Sequence, residues 1–116
     1  MFVLAAYRAR MARYTIRIEL KGDPSFQQYQ SLQYHLEKIG FMHTVKGAKG
    51  LALLPHALYY GTSKDDIETV LSAVIKAAQR VHYVDNNMSV FVAETVNWVS
   101  FAGGVEMGAE VVPPRV

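Results

Sequence analysis

Asp23 stands where a strand-like run, IELKG, gives way to a helix-like one, PSFQQYQ, and its carboxylate is the group best placed to do chemistry. Two capping schemes compete for it. If Asp23 is the N-cap, Pro24 takes the first helical position, where a missing N–H costs nothing. If Ser25 is the cap, Gln28 completes an S-x-x-Q box and Asp23 is left outside the helix with its carboxylate free. A free carboxylate at a strand end could hold a hard cation such as Mg²⁺ or orient a water, particularly where a dimer axis brings two copies together.

Cations that could meet phosphate surround it. Arg8, Arg10, Arg13, Arg17 and Lys21 put five of the twelve basic residues in the first 21 positions. Arg13 and Arg17 share a strand face with Glu19, which could pair with Arg17. Lys46 and Lys49 flank the glycine-bearing turn KGAKG, where flexible backbone could hold phosphate. A net charge of +2 is too small for a binder resting on many phosphate contacts, so any such binding belongs to local patches.

Other chemistries find no footing. The chain has no glycine-rich phosphate loop, no G-x-S-x-G elbow and no H-E-x-x-H pair, and His35, His43, His56 and His82 are not at ligand spacing on one helix, which argues against zinc. The lack of cysteine excludes a disulfide framework, a thiol nucleophile and thiolate metal sites, and points to a cytoplasmic address. No apolar run approaches the ~20 residues that span a bilayer. The opening MFVLAAYRARM is apolar and then basic, the reverse of a signal peptide, so Met11 reads as the natural start and residues 1–10 as an N-terminal extension.

The elements that must position these residues follow from periodicity. Tyr14, Ile16, Ile18 and Leu20 alternate with Arg13, Thr15, Arg17 and Glu19, which predicts a strand with one apolar and one polar face. Tyr29, Leu32, Leu36 and Ile39 lay one stripe along a helix, stopped by Gly40. FMHTV, KGAKG and LALLPHALYYG read as a hairpin, with pairing interrupted at Pro55 and resumed from His56 or Ala57. Ile67, Val70, Leu71, Val74, Ile75, Ala78 and Val81 line a second helix, capped by Thr62 with Asp65 or Ser63 with Asp66; VDNN turns, and MSVFVAETVNWVSF is a last strand, long or broken near Glu94.

This order predicts an α+β, ferredoxin-like β-α-β-β-α-β domain over 11–101: a four-stranded antiparallel sheet with both helices on one face, and a C-terminal tail over 102–116 that is mobile or docks on a partner. Its second face is expected to meet solvent or a second subunit. RNA-recognition-motif stacking is disfavoured, because the open face of the first strand carries no aromatic. Of Tyr59 and Tyr60, one should be core and one surface, and Trp98 with Phe101 suggests a subunit interface.

MARYTIRIEL, the tyrosine-bearing helix at Tyr29, Gly40-Phe41, and the LP…YYG run before a capped helix together resemble the small bacterial GhoS-like family, antitoxins of type V toxin–antitoxin pairs and their relatives. The resemblance spans roughly residues 11–101 and implies a fold similar to the CRISPR-associated spacer-acquisition nucleases. It implies an endoribonuclease acting on a membrane toxin's message, with Asp23 in the place of the nucleases' metal-binding aspartate. The expected protein is a homodimer that binds RNA through Arg13, Arg17, Lys21, Lys46 and Lys49, with Asp23 as the catalytic candidate. The alternative is a dimeric interaction module without catalysis, using β-addition.

Overall fold

The structure, a computed structural model, describes residues 11–48, 50–81 and 87–99. Lys49, Phe101, most of the VDNN turn, the N-terminal extension and the C-terminal tail lie outside the described residues.

Eight elements follow one another: β1 (Ala12–Leu20), α1 (Phe26–Lys38), β2 (Phe41–Met42), β3 (Thr44–Gly47), β4 (Gly50–Leu53), β5 (Leu58–Ser63), α2 (Ile67–Gln79) and β6 (Met88–Glu94). Four strands form an antiparallel sheet in the order β2-β5-β1-β6, while β3 and β4 pair only with each other. The protein is thus α+β, with two helices and a four-stranded antiparallel sheet.

The alternation in β1 translates directly into burial. Tyr14, Ile16, Ile18 and Leu20 are buried in one cluster with Leu32 and Leu36 of α1 and with Val70, Val74, Ala77 and Ala78 of α2. Each fully buried aliphatic side chain here, such as Ile16 or Leu36, stabilises by about 1.5–3 kcal/mol. Two tyrosines fasten the layers through their polar ends: the Tyr14 hydroxyl donates to the Asp65 carbonyl (2.7 Å), and the Tyr29 hydroxyl accepts from the Leu20 N–H (3.0 Å). Where β5 meets β2, Gly61 is required by close approach, since a Cβ there would fall on the Gly40 carbonyl oxygen and 2.7 Å from Phe41 Cδ1.

The caps differ partly from expectation. Ser25 caps α1 in a full box, its Oγ accepting from Gln28 N–H (3.1 Å) and Gln28 Oε1 accepting from Ser25 N–H (2.7 Å). On α2 neither Thr62 nor Ser63 is the cap. Both are still paired in β5, opposite Arg13 and Ala12, so the helix begins only after Asp66, whose Oδ1 accepts from Thr69 N–H (2.8 Å).

The predicted single hairpin is split, for want of a partner strand. Met42 pairs with Tyr60, so a continuing strand would find only Tyr59 and Leu58 left to face before β5 ends. There β5 ends in a turn, with Leu58 N–H bonded to the Pro55 carbonyl (3.1 Å) and Ala57 left-handed at φ 63. Pairing in β5 therefore starts at Leu58, slightly later than expected. Past His43 the chain pairs with itself instead, as β3 and β4, and lays Val45 and Ala52 against Tyr60 and Trp98.

Candidate nucleic-acid interface

The Ser25 box leaves the Asp23 carboxylate free. Gly22 (φ 77) and Asp23 (φ 64) are successive left-handed residues, a conformation that aspartate tolerates better than most side chains. This loop is pinned to Asn87: the Lys21 N–H donates to the Asn87 carbonyl (2.9 Å), and a Cβ on Gly22 would come 2.7 Å from Asn87 Nδ2. Asp23 itself is exposed and makes no hydrogen bond to any described residue. Among the described residues no three acids or histidines converge in a way that could hold a metal ion. Mg²⁺ requires near-octahedral oxygen ligands fixed by at least one or two carboxylates. Within a single chain Asp23 supplies one exposed carboxylate toward that set, and the remaining ligands would have to come from water, substrate phosphate or a second copy.

The predicted cations are dispersed. Arg13 and Lys21 stand near opposite ends of β1, about 26 Å apart at strand rise. The Arg13 guanidinium donates to the Val96 carbonyl (2.7 Å), which ties it to the segment after β6. Arg17, Lys21 and Lys46 are exposed. Arg17 does not pair with Glu19; among the described residues the one charge-pair contact sets His43 Nδ1 3.5 Å from Glu37 Oε2, an ion pair only when His43 is protonated.

Half of the second sheet face is covered, contrary to the expectation of a wholly open one. After β6 the chain turns back over β1, with Thr95 N–H on the Arg13 carbonyl (2.8 Å) and the Thr15 and Thr95 hydroxyls 2.6 Å apart. It then sets Trp98 over Tyr60, ring centroids 5.8 Å apart, with the indole N–H donating to the Tyr60 hydroxyl (3.2 Å). Tyr59 is the core member of the tyrosine pair and Tyr60 is half-buried under Trp98. The central strands therefore offer no free ring on this face among the described residues, and Arg17 and Glu19 of β1 remain exposed opposite Phe91 and Ser89 of β6.

A stronger concentration of positive charge lies on the helix side. His35 and Lys38 of α1, Lys76 of α2 and Arg80 at its C-cap line a cleft of about 430 Å³ with Ala73 and Ala77, and no carboxylate among the described residues joins that lining. Read in sequence, Lys76 and Arg80 are simply cations at a helix C-terminus. Only the crossing of two helices 40 residues apart in the chain brings them to Lys38, and no local pattern encodes that crossing.

Comparison with family models, curated proteins and solved structures finds no match to this chain.

Proposed function

We propose that this protein binds RNA through its phosphates, with the inter-helix cleft as the principal contact. The observation that carries this reading is a cleft holding Lys38, Lys76 and Arg80, with no acid among the described residues that line it. A solvated helix end alone does not account for it. Each helix C-terminus contributes about half a negative charge, so two termini offset about one of the three full cations. The remaining charge suits a polyanion.

The ferredoxin-like reading is supported by the strand order once the β3–β4 hairpin is set aside: the two strand–helix–strand arms interleave, with β5 inserted beside β1 and β6 on its other side. Kinship with the GhoS-like family is consistent with that plan and with RNA as the ligand. Cleavage assisted by Mg²⁺ at Asp23 is not part of the reading, because the carboxylate lacks partners. Labelled RNA incubated with the protein should be bound at low salt and remain intact in Mg²⁺. Cutting that disappears in Asp23→Asn would restore the catalytic assignment.

A second reading, a homodimeric interaction module, is favoured by β6. It is an edge strand of seven residues with no proline or lysine, and its Phe91 is 64% exposed. Such an edge is a ready template for another strand. Sedimentation of the protein as a dimer that Phe91→Asp converts to a monomer would support it.

A further inference from the structure

α1 also lines a second groove. Phe26, Tyr29 and Tyr34 of the helix, with Tyr59 of β5 and His56 of the preceding turn, line a space of about 450 Å³. Phe26 is 76% exposed and Tyr34 54% exposed, unusual for rings that could have been buried. Tyr29 and His56 already meet edge to face, with centroids 4.5 Å apart. Two side-chain amides, Gln30 and Gln33, lie between the rings. The groove's carboxylate, Glu37, is engaged with His43 (3.5 Å) and with Gln33 Nε2 (3.5 Å).

The two grooves adjoin along α1. Lys38 of the basic cleft sits 4.9 Å from the Tyr34 ring centroid of the aromatic groove, and His35 of the cleft lies edge-on to the same ring at 5.2 Å. A row of cations beside a row of exposed rings is the arrangement that holds single-stranded nucleic acid, with phosphates along the charge and bases on the π-faces. Duplex RNA keeps its bases stacked inside and would use only the charged half. Phe26 and Tyr34 are eight residues apart, about 12 Å along the helix, or about three bases at a stacking repeat of about 3.4 Å.

We propose that α1 is the centre of a single-stranded RNA site, with Phe26 and Tyr34 stacking on bases while Lys38, Lys76 and Arg80 hold the adjoining phosphates. This rests on the RNA-binding reading and adds to it the strandedness of the ligand and the side of the molecule that reads it.

Fluorescence anisotropy with a labelled oligouridylate and a duplex RNA of equal length tests it across a salt series. The native protein should prefer the single strand by about ten-fold or more. Phe26→Ala with Tyr34→Ala should lose about ten-fold on the single strand and little on the duplex, and the paired leucine substitutions, which keep apolar bulk but no ring, should lose as much. Lys38→Ala with Lys76→Ala and Arg80→Ala should flatten the salt slope by about two units. Arg17→Ala with Lys21→Ala and Lys46→Ala, on the sheet side, should change affinity by less than about three-fold. Native protein that binds no RNA at low salt would overturn the RNA reading and this site with it. RNA binding that survives loss of both rings, or falls mainly with the sheet-side cations, would overturn the site alone.

Discussion

The two faces of the four-stranded sheet hide apolar side chains on very different scales. Under the helices, twelve buried residues from β1, β2, β5 and both helices form one cluster, with Met88, Val90 and Val92 of β6 packed against it. Over the other face, the β3–β4 hairpin and the 95–99 segment bury only Val45 and Ala52, helped by the partly covered Tyr60, Leu54 and Trp98. The first face holds the fold together. The second is an attachment that closes over the sheet and removes Tyr60 as a free ring, and with so little buried it is expected to open before the rest.

The sharpest break of this contrast is Gly61→Ala, because the added Cβ would fall on the Gly40 carbonyl oxygen where β5 meets β2. It should cost more than about 4 kcal/mol in denaturant unfolding. Next, Leu36→Ala, which empties a fully buried site, should cost about 2–5 kcal/mol. Trp98→Ala should leave the global unfolding midpoint nearly in place while amides of 44–53 exchange faster. Hydrogen exchange that instead accelerates equally in β1 would show the two faces to be one cooperative unit.

Alkaline titration sharpens the same contrast without mutation. Burial, and secondarily the neighbouring Tyr29, pushes the Tyr59 hydroxyl up to about 12. Tyr14 is raised as well, by burial and then by Glu94, Asp66 and Asp65. A raised phenol favours the folded state below its ordinary value of about 10 and loses that contribution as pH climbs toward the folded value. Stability should therefore fall between about pH 10 and 12, with the late tyrosinate absorbance appearing together with unfolding of the helix-covered core. Smallest is the loop between β1 and α1: Ser25→Ala should cost about 1 kcal/mol through loss of the capping box. Asp23→Gly, which suits the left-handed backbone, should leave stability unchanged or slightly higher.

Much of the helix-covered face was legible because it is written in local periods. The alternation of Tyr14 through Leu20, the stripe through Leu32 and Leu36, the Ser25–Gln28 box and the stop at Gly40 (φ 94) each need only a few neighbouring residues to be recognised. The split hairpin was not legible, since it depends on β5 running out of partners at Leu58. That is a fact of register between segments whose paired residues, Met42 and Tyr60, stand 18 positions apart. The cap of α2 was misplaced for the same reason, because Ser63 belongs to β5. Of the site, the freedom of Asp23 was one of two local alternatives, and its isolation from other acids is a tertiary property. Lys38, Lys76 and Arg80 carried no signal beyond helix-end charge, and Phe26 and Tyr34 lay off the apolar stripe.

The salt dependence of RNA binding by the native protein tests the central claim most directly. If Lys38, Lys76 and Arg80 hold phosphates, the logarithm of the association constant should fall linearly with the logarithm of salt concentration, with a slope of about −2 or steeper. A flat dependence, or no association at the lowest salt, would contradict it.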